Sequence, residues 1–224
     1  MIKACLFDLD GTLLDTLTTI AYYSNMALSA HGIEPVEVDR YKLFVGNGAK
    51  KLVERMLKYR NAYSEESFHI IYKYYMESYD ANPTYLTEPY DGICDMLDSV
   101  KQRGISAGVI SNKPDFATKA VCAAKFTPGT FGEVRGQVEG IAVKPDTEGA
   151  VCVLNSLEAS SDETIYVGDT DVDMQTGKNL GAYTVGVLWG FRDEEELTAA
   201  GADAVISHPM ELVDLIDKLE YDRV

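Results

Sequence analysis

The sequence predicts a doubly wound, parallel α/β sheet with a small all-helical domain inserted after the first strand. Three observations carry this. From residue 90 onward, short apolar runs alternate with helical patterns, the signature of βαβ units with right-handed crossovers. Residues 17–82 show helical spacing and no strand pattern. The opening run, residues 2–7, is apolar but for Lys3, as a strand covered on both faces must be over its buried length. A chain of 224 residues, 46% of them hydrophobic, is long enough for a core and a smaller second module.

The elements follow in order. The strand at 2–7 ends in Asp8 and Asp10, two carboxylates that an extended segment points the same way. Gly11 follows, where the chain must turn sharply. Residues 17–30 read as a helix closed by His31-Gly32. Residues 34–43 suit a short helix. Gly46-Asn47-Gly48 interrupts the pattern, and 49–59 resumes it with Leu52, Val53, Met56 and Leu57 at helical spacing. Ser64 is the N-cap of a helix to about Tyr79, and Glu65 and Glu66 favour its dipole. Asn82-Pro83 ends it. Most of the tyrosines crowded here read as packing between helices, and one or two could line a pocket.

Beyond Tyr90 the pattern predicts helix 92–103, strand 105–110 and helix 114–125. An irregular stretch with a short strand over 131–138 comes next, then helix 145–157 and strand 164–167. Helix 172–180 capped by Gly181, strand 182–188, helix 194–200, strand 204–206 and helix 210–219 complete the series. This divides the chain into a core, 1–16 and 83–224, and a helical domain, 17–82.

A net charge of −16 argues against nucleic-acid or anionic-membrane partners, which reward Lys and Arg. Cys5, Cys94, Cys122 and Cys152 form no CxxC pair and read as small buried hydrophobes in a reducing cytoplasm. Met1-Ile2-Lys3 runs directly into the strand, so no signal peptide is expected, and no apolar run approaches the ~20 residues of a membrane span.

In open α/β sheets, ligands bind beyond the carboxyl ends of the strands. Three predicted strands end there in polar residues: Asp8 and Asp10, Ser111-Asn112, and Gly168-Asp169-Thr170-Asp171-Val172-Asp173. Lys144-Pro145 opens a helix nearby. Acids this close repel unless they share a proton or a cation, and a hard ion such as Mg2+ accepts carboxylates, water and phosphate oxygens. An aspartate can attack phosphorus as a nucleophile, while a metal, a lysine and a hydroxyl stabilise the phosphoryl charge. A second acid can protonate the leaving oxygen and then activate water. Asn112 would touch phosphate or only fix its loop. Asp171 reads as a solvated helix-start acid, and Asp173 either caps its helix or stands near a metal.

Asp8-Leu9-Asp10-Gly11-Thr12-Leu13 resembles the first motif of the haloacid dehalogenase-like phosphatases. Ser111, Lys144 and the Asp169/Asp173 pair resemble the remaining motifs in the family's usual order. The resemblance implies a Rossmann-like core with a helical cap between the first and second motifs. It implies Asp8 as nucleophile and metal ligand, and Asp10 as general acid/base that ligates Mg2+ through its main-chain carbonyl. Ser111 and Lys144 become the phosphate-binding pair, with Gly11 and Asn112 beside them. Asp169 becomes the metal carboxylate and Asp173 a supporting acid. Asp at position 10 favours phosphate transfer over dehalogenation.

Phe44-Val45-Gly46-Asn47-Gly48-Ala49 resembles the cap loop of the phosphoglycolate phosphatase-like subfamily. Gly46, Asn47 and Gly48 could present backbone N–H groups to a small carboxylate, or form only a glycine-rich helix start. The implied activity is a Mg2+-dependent phosphomonoester hydrolase acting on a small phosphate ester, 2-phosphoglycolate first, as a monomer or homodimer. Pyrophosphate, a nucleotide, a sugar phosphate and a β-phosphoglucomutase-like transfer remain alternatives. A phosphonatase would need a Schiff-base lysine that nothing singles out, and a non-catalytic binding protein would not need the intact acids.

Overall fold

The computed structural model describes residues 1–221. The chain opens with β1 (Ala4–Phe7), β2 (Leu14–Asp15), α1 (Leu17–Ala30), a 3₁₀ turn (Val38–Leu43), α2 (Gly48–Tyr59), α3 (Glu65–Ala81) and β3 (Glu88–Pro89). It continues with α4 (Ile93–Gln102), β4 (Ser106–Pro114), α5 (Asp115–Lys125), β5 (Glu133–Gln137), α6 (Glu148–Ser156) and β6 (Thr164–Gly168). α7 (Asp171–Leu180), β7 (Tyr183–Val187), α8 (Glu194–Ala199), β8 (Ala204–Ile206) and α9 (Glu211–Tyr221) close it.

Six strands form one parallel sheet in the order β5-β4-β1-β6-β7-β8. β1 lies between β4 and β6, with Phe7 level with Val109 on one side and Val167 on the other. Its four residues are fully buried and alternate between two cores. Cys5 and Phe7 join one cluster with α4 and α9, and Ala4 and Leu6 join another with α6. A sheet covered on both faces results, as the unbroken apolar run requires.

Leu17 to Ala81 is helical apart from its connections and has its own cluster, built from residues such as Tyr41, Leu57 and Ile71. The ribbon β2–β3 pairs Leu14 with Pro89 and Asp15 with Glu88. The chain therefore leaves the sheet and returns to it at one place. Ser64 caps α3 by accepting from Ser67 N at 3.0 Å, and the Ser67 hydroxyl accepts in return from Ser64 N.

Several boundaries differ from the sequence expectation. β4 runs on to Pro114, so Ser111, Asn112 and Lys113 belong to its end, and the register shifts there against β5. β5 is a regular edge strand where only a fragment was expected. α6 starts at Glu148 rather than 145, because Pro145 to Thr147 are used as a turn. Residues 38–43 form a 3₁₀ turn inside the expected helix. Cys94 is exposed and Cys152 half-buried, which corrects the expectation for both; only Cys5 and Cys122 are buried. No helix among the described residues is long and apolar enough to cross a membrane.

Asn25 on α1 holds the 3₁₀ turn. Its amide donates to Val36 O at 2.8 Å, and its carbonyl accepts from Val36 N at 2.7 Å and from the Tyr41 hydroxyl at 2.8 Å. Tyr41 is fully buried, so removing the acceptor strands its hydroxyl. Asn25→Ala is expected to lower unfolding free energy by about 3 kcal/mol in urea titrations, and Tyr41→Phe by about 1 kcal/mol.

Candidate active site

The order β4-β1-β6 brings the polar ends of three adjacent strands together. Asp8 follows β1, and its amide donates to Val167 O at 2.9 Å, which continues the ladder one step past the strand. Ser111 stands at the end of β4 and Asp169 just after β6. Lys144 reaches in from the loop before α6. Its ammonium donates to Asp8 Oδ1 at 2.6 Å and to Asp173 Oδ1 at 2.7 Å. Asp173 Oδ2 accepts from Thr170 Oγ1 at 2.6 Å and from Thr170 N at 3.1 Å, so this acid both caps α7 and holds Lys144. Both alternatives read for Asp173 are therefore realised at once.

Asp169 is fully buried and accepts from Thr12 Oγ1 at 3.0 Å and from Phe191 N at 2.9 Å. The chain packs so tightly here that a Cβ on Gly11 would lie 2.3 Å from Asp169 Oδ2, and one on Gly190 2.3 Å from Asp169 Cβ. Gly11 also has φ +91, which L-residues with side chains rarely adopt. Its visible part is thus close approach to Asp169.

Burial and like charge set the protonation behaviour. Burial pushes the Asp8 carboxyl up to about 7; Lys144 opposes this and Asp173 adds to it. Burial, then Asp173 and Asp8, raise Asp169 well above the carboxylate range. Lys144 is raised in spite of its burial because Asp173 and Asp8 face it. Lys113 is raised likewise, burial being outweighed by Asp10, whose oxygens its ammonium meets at 2.8 and 3.1 Å.

Asp8, Asp169 and Asp173 each offer an oxygen within 4.8 Å of the others. Asp173 is paired with the Lys144 ammonium and bonded by Thr170, whereas Asp169 meets two neutral donors and Asp8 meets Lys144 through Oδ1 alone, so Asp8 and Asp169 are the carboxylates with capacity for a cation. The Asp10 side chain is taken by Lys113, so only its main-chain carbonyl remains for a cation. This all-oxygen donor set fits Mg2+.

Asn112 proves to be a loop fastener. Its carbonyl accepts from Lys144 N at 2.8 Å, and its amide donates to Lys144 O at 3.2 Å and to Gly46 O at 3.0 Å. Gly46 and Gly48 line a cavity of about 60 Å³ between the sheet edge and the helical segment. Asn47 is turned elsewhere and accepts from Arg55 at 2.7 Å. Asp8, Asp10, Ser111 and Asn112 form the polar end of the cavity, and Ile20, Leu52, Tyr75, Met76 and Tyr79 its other wall. Asp171 is half-buried in the first turn of α7.

Three contributors had no assigned role from sequence: Lys113, Phe191 and Arg192. Lys113 follows the Ser111-Asn112 pair directly, and its signal was adjacency to that pair. Phe191 packs its ring into the helical cluster while its amide serves Asp169. Arg192 donates to Lys42 O and to Val45 O, fastening the loop before α2 to the segment that follows β7. These last two have no local signal, because Asp169 is 22 residues from Phe191 and the partners of Arg192 are about 150 residues away.

The family model for haloacid dehalogenase-like hydrolases matches residues 5–187. The chain belongs to the haloacid dehalogenase-like hydrolases. It is 32% identical over 215 residues to a phosphoglycolate phosphatase of Aquifex aeolicus, covering 96% of this chain and 97% of that one. An N-acetylmuramic acid 6-phosphate phosphatase of Pseudomonas aeruginosa is 28% identical, over 99% of this chain and 97% of its own. The crystal structure of a predicted phosphatase from Clostridium acetobutylicum superposes with a TM-score of 0.85 at 27% identity, covering 97% and 99% of the two chains.

The raised Asp8 carboxyl makes cation binding compete with protons. Without metal, the folded state holds a proton that the unfolded chain releases near 4, so this acid's contribution to stability falls as pH rises from about 4 to about 7. A cation reverses the sign by replacing that proton. Melting curves with EDTA or 10 mM Mg2+ (roughly saturating for such a site) should show Mg2+ stabilisation that is small at pH 5.5 and several degrees larger at pH 8.

Proposed function

We propose that this hydrolase is a Mg2+-dependent phosphomonoester phosphatase that works through a phosphoryl group on Asp8, with 2-phosphoglycolate as its substrate. The observation that carries the reading is Asp8 itself: a buried carboxylate at the mouth of the sheet, fixed by Lys144 at 2.6 Å, with Asp10 and Ser111 on the same cavity.

In this reading Asp8 attacks phosphorus and forms a P–O bond while the bond to the leaving oxygen breaks. Asp10 gives its proton to that oxygen, then takes one from the water that attacks the phosphoryl group and frees Asp8. Ser111 donates its hydroxyl to a phosphoryl oxygen. Lys144 holds Asp8 in line and offsets charge on the phosphate. Asp8, Asp169 and the Asp10 carbonyl would hold Mg2+, which supplies electrophilic stabilisation of the phosphoryl oxygens. Gly46 and Gly48 line the cavity and admit the substrate through close backbone approach, while Gly11 admits Asp169. The helical segment 17–82 acts as a cap that excludes water above the site.

The extended likeness to the Aquifex aeolicus phosphoglycolate phosphatase supports the small substrate. The relative that acts on N-acetylmuramic acid 6-phosphate supplies the second reading, the same chemistry on a sugar phosphate.

Phosphate release should be measured on 2-phosphoglycolate, N-acetylmuramic acid 6-phosphate, pyrophosphate, nucleotides and sugar phosphates, each with Mg2+ or EDTA. The expected result is a preference for 2-phosphoglycolate of about 100-fold, roughly 3 kcal/mol in the transition state, abolished by EDTA. A preference for the sugar acid phosphate would transfer the substrate to the second reading. Asp8→Asn should lower kcat by about 10⁴-fold or more with the far-UV spectrum unchanged; turnover near the wild-type rate would rule out the covalent route.

A further inference from the structure

Lys113 and Tyr79 are not needed by the chemistry proposed above. The phosphate end of the cavity has Ser111 and Lys144. Lys113 is a second buried ammonium, 7% exposed, on the side that faces the helical segment. Two of its donor directions go to Asp10, at 2.8 and 3.1 Å. An ammonium has three donors, so the third is left to the Tyr79 hydroxyl or to a ligand beside it.

Tyr79 lies beside it. The Lys113 Nζ stands 4.7 Å from the centre of the Tyr79 ring. That ring is wedged by Tyr23 at 5.3 Å and Tyr75 at 5.6 Å between centroids, which fixes where its hydroxyl points. Tyr79 is 4% exposed and lines the cavity; the neighbouring Lys113 ammonium can only donate to its hydroxyl, whose own proton has no acceptor among the described residues. A buried hydroxyl left unpaired costs about 1–3 kcal/mol, so its retention calls for a partner supplied at some stage of the cycle.

The two groups present donors with an apolar surround of Ile20, Leu52 and Met76. A pair of donors, one of them charged, beside Asp10, the acid that serves the leaving oxygen, selects an acceptor that carries negative charge. We propose that Lys113 and Tyr79 form the leaving-group subsite and that the substrate class is a phosphomonoester whose leaving group bears a carboxylate. This rests on the phosphatase reading and assigns its selectivity to named side chains. It also moves carboxylate recognition away from Asn47, whose side chain is engaged by Arg55.

The test compares 2-phosphoglycolate with 2-hydroxyethyl phosphate, which replaces the carboxylate by a neutral hydroxymethyl group. The ratio of their kcat/KM values is read for wild type, Tyr79→Phe, Lys113→Met and Lys113→Arg. Wild type should favour the carboxylate ester at least 50-fold. Tyr79→Phe and Lys113→Met should each cut that ratio tenfold or more, with the Tyr79→Phe loss in KM, and Lys113→Arg should retain more of it than Lys113→Met. Tyr79→Phe keeps the ring packing, so it reports even if Lys113→Met does not fold. A ratio unchanged in Tyr79→Phe, or near one in wild type while both esters are hydrolysed, overturns the subsite and leaves the phosphatase reading standing. No release from either ester overturns both.

Discussion

The ion network of Lys144 with Asp8 and Asp173 is the constraint on which the rest of the site depends. Three charged groups are nearly inaccessible to water, and each is tolerable only because the others are there. The network spans the loop before α6, the end of β1 and the first turn of α7, so it fixes how three separate segments meet. Around it the backbone is thinned to glycine: Gly11, Gly168 and Gly190 leave room that any side chain would close. Asp169 then occupies a fully buried position with only two neutral donors. An arrangement so rich in buried negative charge is poor for stability and suited to holding a cation.

A second tier of contacts joins this charged centre to the helical segment. Asn112 fastens the Lys144 loop and the Gly46 carbonyl with one side chain. Phe191 serves Asp169 with its amide and the helical cluster with its ring. Arg192 reaches the loop from Lys42 to Val45. Displacement of that loop would therefore be felt at Asp169 and Lys144 through short, direct connections.

Much of this was legible in the sequence, for physical reasons that can be named. β1 and the ends of β4 and β6 were readable because a parallel sheet needs unbroken apolar strands and places its polar residues at the carboxyl edge. Ser64 and Gly181 were readable because helix ends have local chemistry. The extension of β4 through Lys113 was not, because polar residues at a strand end look like a loop until the neighbouring strand is in place. The Asn112 fastening and the Phe191–Arg192 link depend on partners distant in the chain. Cys94 sits in an apolar pattern yet faces water, since periodicity gives a helix face only approximately.

The position of β1 has a consequence for the order of events during synthesis. β1 is made first, but its two sheet neighbours are β4, at residues 106–114, and β6, at 164–168. The segment between β1 and β4 has its own apolar cluster and mainly short-range helix contacts, which form quickly. On a ribosome the helices can therefore pack while the central strand is still without partners. The most buried strand of the enzyme is also the one that waits longest, and the aspartates that follow it gain their surroundings only when β6 and α7 have emerged.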